Sequence, residues 1–326
     1  MDSVMNYVKE AATLFGEAGG NWRFTPGETP FSSTWIPVTT VLSYFVLIHL
    51  LQNKMELKKP FQMRGVLIAH NAFLCLASLV LFIWLFGTIV YRTFDQDATP
   101  HYLLCSEKMH NNGSLHIIYW LNNLTKYWEL LDTVFLVLRK KPVLFLHEYH
   151  HGATLLLTWS QQREHSTVQW VPILLNLGVH IVMYYYYTLS AAKIHVWWKK
   201  YLTTLQIVQF VVGVGACSYC YGKYLLNGFD YSLYAEHKNS CSGLLANGIA
   251  QLLFCSFLCA GATGLIPELS QALQSWFHTC SCSFDSTSRR TVRRVRSKKL
   301  TRLFHSSMGF VHKSIKRNGL SGFQHL

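Results

Sequence analysis

The chain has 326 residues, of which 50% are hydrophobic and only 14% are charged, and its formal net charge is +13. The apolar residues come in long blocks, which excludes an ordinary soluble fold as the main architecture. The positive charge does not indicate nucleic-acid binding, because the aromatic residues lie in the apolar blocks and not among the basic residues. The composition predicts a polytopic membrane protein.

Seven apolar blocks follow one another along the chain, each near the length of about 20 residues that crosses a bilayer as a helix. They cover residues 35–51, 66–90, 115–137, 144–160, 167–189, 201–222 and 242–265, of which the fourth is short and polar. We therefore expect an all-α membrane domain of seven transmembrane helices at residues 35–265. A segment at 1–34 precedes it, and a basic tail at 266–326 follows it.

Lysine and arginine are unevenly divided between the two sides that seven spans create. One set of loops, together with the tail, carries 21 of these residues, and the opposite set carries 7. Because lysine and arginine collect on the cytosolic side of a membrane, the tail is predicted to be cytosolic. The N-terminus is then predicted to lie across the membrane.

Two predicted features belong to the non-cytosolic loops. Cys105 and Cys241 lie in the two long loops on that side, where an oxidising lumen would allow a disulfide between them; free thiols are the alternative. Asn112 begins an Asn-Gly-Ser glycosylation sequon on the same side.

The third span carries charged residues along one helical face. In KYWELLDT, the residues Lys126, Glu129, Asp132 and Thr133 are spaced by three, three and one, so their side chains share a face. Ionisable groups in a membrane span are costly and usually mark a functional site. The alternative is an internal ion-pair network that only holds helices together.

Polar stripes continue on the next three spans. Their members are His147, His150 and His151 on the fourth, Asn176, His180 and Tyr184 on the fifth, and Gln206 and Gln209 on the sixth. A single stripe is explained by hydrogen bonds between helices. Four stripes on consecutive spans predict an enclosed polar chamber.

The histidines allow three interpretations. A metal site is one, because imidazole is a common ligand, but membrane di-iron enzymes use several histidine boxes and this chain has one. A core cluster without function is the second. The third is acid–base or nucleophilic catalysis, since an unprotonated imidazole is both a base and a nucleophile near neutral pH. We favour the third and expect no metal.

Four motifs carry a family resemblance. They are KYWELLDT at 126–133, HEYHH at 147–151, NLGVHIVMYYYY at 176–187 and TTLQIVQF at 203–210. In order and spacing they resemble the signatures of the ELO family, the elongases of very-long-chain fatty acids. The resemblance covers about residues 30–270 and points to the fungal-type branch.

The resemblance implies seven spans in the endoplasmic reticulum membrane, with the N-terminus lumenal and the active site in a tunnel formed by the last six spans. It also implies condensation of a long-chain acyl-CoA with malonyl-CoA to 3-oxoacyl-CoA, CoA and CO₂, without a cofactor. The sequence shows no dinucleotide fingerprint, so we expect a separate ketoreductase, dehydratase and enoyl reductase in the same membrane. Formation of a homodimer is left open.

Roles for the site residues follow from this chemistry. We expect His150 to carry the acyl group as an acyl-imidazole, His180 to assist decarboxylation, and His147 and His151 to orient His150. The expected substrate-binding residues are Lys126, Glu129, Asp132, Asn176, Tyr184, Gln206 and Gln209. The alternatives are a ternary complex with His150 as acid or base, a histidine-box metalloenzyme such as a desaturase, a proton-coupled transporter, or a receptor.

Overall fold

The computed structural model describes residues 2–94, 98–226 and 241–265, and the predicted tail at 266–326 lies outside this part of the chain. The described residues form helices and no strand. The helices are α1 (Asp2–Glu17), α2 (Trp35–Met55), α3 (Arg64–Thr93), α4 (Pro100–Cys105), α5 (Glu107–His110), α6 (Gly113–Leu138), α7 (Phe145–Arg163), α8 (Trp170–Ala191), α9 (Leu202–Leu226) and α10 (Leu244–Leu265), and a 3₁₀ helix at Trp197–Tyr201 leads into α9. One compact unit runs from Met1 to Phe254, and a second begins at Cys255.

Each of the seven apolar blocks matches one of the long helices, and where a block begins before its helix the difference is at most three residues. Among the described residues, three stretches are long and apolar enough to cross a membrane, namely Trp35–Met55, Arg64–Thr93 and Trp197–Lys223. Helices α6, α7 and α8, which carry three of the four polar stripes, are not among these stretches. The protein is thus a helical membrane protein with several apolar helices, while seven spans and a six-helix tunnel stay predictions.

The N-terminal segment contains a helix that the apolar blocks did not predict. Helix α1 packs against α3 and α6, and the indole nitrogen of Trp84 donates to the Phe15 carbonyl at 3.0 Å. Gly19 then passes close to α6, because a Cβ at this position would lie 2.2 Å from the backbone nitrogen of Ser114. Only glycine permits that approach.

Helix packing brings the four polar stripes to the inside. Helix α3 packs along α8, and α6 packs against α2, α3 and α7. Two apolar clusters lie within this bundle. One includes Leu85, Leu115 and Leu177, and the other includes Ile48 and Leu155. This apolar packing leaves the ionisable residues of α6 to pair with one another and with their neighbours on α3 and α8.

The two non-cytosolic cysteines meet in the structure. Cys105, at the end of α4, and Cys241, shortly before α10, form a disulfide across 136 positions of sequence. Gly243 follows with a φ of 74°, and a Cβ there would lie 2.5 Å from the Cα of Ser166. The chain therefore needs glycine where it passes the α7–α8 connection.

Asn112 has a structural role that the glycosylation prediction did not include. Its side-chain oxygen caps α6 by accepting from the backbone nitrogen of Leu115 at 3.2 Å. Its amide nitrogen, the atom to which a glycan would attach, donates to the Gly16 carbonyl at 2.9 Å. Ser114 of the same sequon is fully buried. This geometry does not favour glycosylation at Asn112, which stays a prediction.

Candidate active site

Lys126 and Glu129 form a buried ion pair on α6. The ammonium nitrogen lies 2.8 Å from Glu129 Oε1, and the two residues are only 4% and 2% exposed. The same nitrogen donates to Asn176 Oδ1 on α8, also at 2.8 Å. The charged stripe of α6 therefore reaches across to the polar stripe of α8.

His180 closes this arrangement into a ring of four side chains. Its Nε2 lies 3.1 Å from the amide nitrogen of Asn176, and its Nδ1 lies 3.3 Å from Glu129 Oε1. Because the Asn176 oxygen is occupied by Lys126, the Asn176 nitrogen must donate to His180 Nε2. The imidazole proton is then on Nδ1, where it is donated to Glu129. We call Lys126, Glu129, Asn176 and His180 the four-residue ring.

Asp132 and Tyr184 do not belong to this ring. The Tyr184 hydroxyl donates to Asp132 Oδ2 at 2.8 Å, and the other carboxylate oxygen lies 2.6 Å from His70 Nε2. A phenol has one proton to donate. The expectation that Tyr184 donates to a substrate oxygen is therefore not supported by this structure.

The histidine box lies on the first half of α7. The His147 and His151 rings are 4.5 Å apart between centroids, and the His150 and His151 rings are 5.7 Å apart. Within the described part of the chain, one set of three His, Cys, Asp or Glu residues has ligand atoms within 4.8 Å of one another, and it consists of Cys105, Cys220 and Cys241. The histidine box does not form such a set, and the expectation that it holds no metal stays a prediction.

A narrow cavity of about 50 Å³ lies beside His150. Its wall includes Lys126 and Asn176, so the cavity joins the histidine box to the four-residue ring. The remaining lining residues are Asn122, Thr154, Leu157, Thr158, Gln161, Pro172, Ile173, Gln209, Phe210 and Phe254. The arrangement places an imidazole, an ammonium group and an amide around one cavity.

The two glutamines of α9 differ in position. Gln209 lines the cavity, whereas Gln206 donates to the sulfur of Met183 at 3.9 Å and is not part of the cavity wall. The two residues are three positions apart, which on a helix turns the side chains about 60° from each other. Of the pair predicted from the motif, only Gln209 is placed to contact a molecule in the cavity.

A family model decides the classification. The ELO (GNS1/SUR4) family model matches residues 29–263, which is more than half of the chain.

The protein belongs to the ELO family.

Relatives named as fatty acid elongases are similar over about 70% of the chain. Putative fatty acid elongase 1 of Schizosaccharomyces pombe is 39% identical over 224 residues, covering 69% of this chain and 66% of that protein. Fatty acid elongase A of Dictyostelium discoideum is 37% identical over 235 residues, covering 71% and 81%. The match thus spans slightly less than two thirds of the first relative's length. These similarities confirm the expected family and its fungal-type branch.

The ELO motifs supply five of the thirteen residues that line the cavity, namely Lys126, His150, Asn176, Gln209 and Phe210. The motif residues that the structure brings together there are Lys126, Glu129, His150, Asn176, His180 and Gln209. His151 lies next to both His147 and His150. Asp132 bonds to His70 and to Tyr184 outside the four-residue ring, and Gln206 does not line the cavity.

Sequence reasoning missed part of this ELO site. On α7, Thr154, Leu157, Thr158 and Gln161 continue the face of His150 along the cavity, and their helical spacing could have identified them. His70 looked isolated on α3, and nothing in the sequence indicates that it reaches Asp132. Phe254 comes from a helix about 100 positions farther along the chain, and no local pattern predicts that approach.

Proposed function

We propose that this ELO protein condenses a long-chain acyl-CoA with malonyl-CoA to give 3-oxoacyl-CoA, CoA and CO₂. Family membership and relatives named as fatty acid elongases support this reaction class. The observation that carries the proposal is the position of His150 on the wall of a cavity that it shares with Lys126 and Asn176. A nucleophile, a cation and an amide around one space suit acyl transfer.

In the first step, an imidazole nitrogen of His150 attacks the thioester carbonyl carbon. The C–N bond forms, the C–S bond breaks, and CoA leaves as the thiolate, which takes up the proton that the acylated imidazole no longer holds. The product is an acyl-imidazole on His150. A thiolate is a good leaving group, so no metal is needed to polarise the carbonyl.

Lys126 is placed to stabilise the oxyanion of this step. An ammonium group has three N–H donors, and Lys126 uses one for Glu129 and one for Asn176. Lys126 also lines the cavity beside His150, which leaves its third donor for an oxygen in that space. Donors fixed in advance where charge develops are the largest contributors to catalysis of acyl transfer.

In the second step, malonyl-CoA loses CO₂, and the electron pair of the broken C–C bond becomes an enolate. The enolate carbon attacks the acyl-imidazole, the C–N bond breaks, and the departing imidazole nitrogen takes up a proton from water, which regenerates neutral His150. The Asn176 amide has a second N–H, beyond the one it donates to His180, that can contact the enolate oxygen. His180 orients Asn176 in this scheme and assists decarboxylation.

We further propose that the protein lies in the endoplasmic reticulum membrane with its tail in the cytosol, the side on which acyl-CoA and malonyl-CoA are present. A 3-oxoacyl-CoA must then be reduced, dehydrated and reduced again, so a ketoreductase, a dehydratase and an enoyl reductase are the expected partners. The ternary-complex scheme, in which His150 only moves protons, uses the same residues.

The reaction is tested by malonyl-CoA-dependent CO₂ release. Microsomes carrying the wild-type protein, given a defined acyl-CoA and labelled malonyl-CoA, should release CO₂ and form 3-oxoacyl-CoA. The variant His150→Ala should do neither. Ser160→Ala changes the same helix away from the cavity and should keep full activity. Absence of product from a correctly inserted wild-type protein would favour a transporter.

A further inference from the structure

A chain of hydrogen bonds crosses three helices beside the four-residue ring. His70 on α3 contacts Asp132 on α6 at 2.6 Å, and Asp132 accepts from the Tyr184 hydroxyl on α8 at 2.8 Å. Trp128 joins at the other end, because its indole nitrogen lies 3.1 Å from His70 Nδ1. None of the four sequence stripes includes His70 or Trp128.

The hydrogen bonds that join Trp128, His70, Asp132 and Tyr184 have one consistent assignment of donors and acceptors. An indole N–H can only donate, so His70 Nδ1 is the acceptor and the imidazole proton is on Nε2. That proton is donated to Asp132 Oδ1. Tyr184 donates to Oδ2, so each oxygen of the carboxylate is held by a donor from a different helix.

The two side chains that donate to Asp132 are buried, whereas Asp132 itself is partly buried and Trp128 is 48% exposed. His70 is 7% exposed and Tyr184 is fully buried, and the ring of Phe135 packs edge-on against His70 with centroids 5.0 Å apart. Buried polar groups are stable only when they are paired, and loss of one partner leaves the other uncompensated. The position of Tyr184 therefore depends on Asp132 and, through it, on His70.

Tyr184 connects this chain to the proposed site. Its ring stands perpendicular to the His180 ring, with centroids 5.3 Å apart, one helical turn away on α8. His180 in turn holds Asn176, which lines the cavity. A displacement of about 1 Å among residues that hold reacting groups in place is enough to slow a reaction strongly.

We propose that His70, oriented by Trp128, is a positioning residue that acts through Asp132 and Tyr184 to hold His180 in place. This inference rests on the proposed condensation, because its main readout is the rate of that reaction. His70 does not touch the cavity, so its loss should lower kcat and leave the KM for acyl-CoA almost unchanged.

The test compares variants of His70 and Tyr184 in the purified full-length protein. His70→Leu and Tyr184→Phe should each lower kcat by roughly ten-fold, the effect of one lost hydrogen bond to a charged group. The double variant should lose no more than the single variants, since both act through one chain. His70→Gln, whose amide N–H can replace the imidazole Nε2–H, should recover most of the rate.

Thr88→Val is the matched control. Its hydroxyl is also buried on α3 and hydrogen-bonded, to the Trp84 carbonyl at 2.8 Å, but it lies 18 positions from His70. It should lower thermal stability without changing kcat. If His70→Leu does not insert or fold, Tyr184→Phe and His70→Gln carry the test.

Two results would overturn the inference while the wild type remains active. One is that His70→Leu and Tyr184→Phe both keep the kcat of the wild-type protein. The other is a loss in the double variant equal to the product of the single losses, which would mean that the two residues act independently. An inactive wild type would instead count against the proposed function and would be recognised before any variant is compared.

Discussion

Both ring nitrogens of His180 are engaged, and this separates its role from that of His150. Nε2 accepts from Asn176 and Nδ1 donates to Glu129. Attack on a thioester from Nε2 would first break the bond to Asn176. The arrangement therefore favours His180 as an orienting group and His150, on the cavity wall, as the group that meets the acyl carbon.

Lys126 is predicted to contribute to both stability and activity. Replacing it in Lys126→Met leaves Glu129 as a buried carboxylate without its cation, which typically costs about 3–5 kcal/mol in free energy of unfolding. The variant should also lose condensing activity. Thermal unfolding in detergent and 3-oxoacyl-CoA formation measure the two effects.

A second substitution separates these effects. In Lys126→Met/Glu129→Gln the uncompensated charge is removed, so much of the thermal stability should return while the activity stays lost. Recovery of activity in this double variant would show that the ammonium group does not act on the substrate and is only part of an ion pair.

The two glutamines of α9 provide a comparison on one helix. Gln209→Ala should lower kcat/KM by roughly ten-fold, because Gln209 lines the cavity and its amide loses a contact with the bound acyl group. Gln206→Ala should have a much smaller effect. Measurement of kcat/KM for both variants with one acyl-CoA compares the two losses. A larger loss for Gln206→Ala would contradict the placement of the cavity.

At the scale of one helix, α7 is predicted to set part of the acyl-chain length. Leu157 lies on the cavity wall, seven residues beyond His150 and therefore about 10 Å farther along the helix. Leu157→Phe should narrow the cavity at that depth and shift the products toward shorter chains.

The neighbouring residue supplies the control for this substitution. Leu156 packs against the apolar cluster around Leu155 and does not line the cavity. Leu156→Phe adds the same volume outside the cavity and should leave the product profile unchanged. An identical shift in both variants would mean that helix distortion, and not cavity shape, controls chain length.

The sequence predicts the long helices well. Apolar blocks and helical spacing are local properties, so they located the long helices and the shared faces of Lys126 with Glu129 and of His147 with His151. Contacts between helices are not local. The pairing of His70 with Asp132 depends on how each helix is rotated about its axis relative to its neighbours. The same rotation decides that Gln209 lines the cavity while Gln206 contacts Met183. Packing of the whole bundle sets these rotations.

At the scale of the whole molecule, histidines around a second cavity are predicted to make the folding stability of the protein fall in acid. It has a volume of about 310 Å³ and is lined by His110, His116 and His165 together with Arg23 and Glu107. Burial, reinforced by the nearby Arg92, lowers the pKa of His110 to about 3. Burial also lowers the pKa of His165.

These shifts predict that stability falls as the pH is lowered below about 6.5, the usual pKa of an unfolded histidine. Below this pH the unfolded chain binds protons that the folded protein excludes, which costs up to about 1.4 kcal/mol per pH unit and per histidine until the folded pKa is reached. Unfolding temperatures at pH 7.5 and pH 5 measure the loss. His110→Gln should reduce the difference, and an unchanged difference would contradict the role of His110.

The central claim is that His150 carries the acyl group in a condensation reaction. The most direct measurement adds the substrates in sequence to purified protein and follows CoA release, intact protein mass and product. Acyl-CoA alone should release CoA and add the mass of one acyl group at His150. Malonyl-CoA should then remove that mass and yield CO₂ and 3-oxoacyl-CoA. Product formation with no earlier adduct or CoA release would contradict the covalent route, and no product in either stage would contradict the condensation itself.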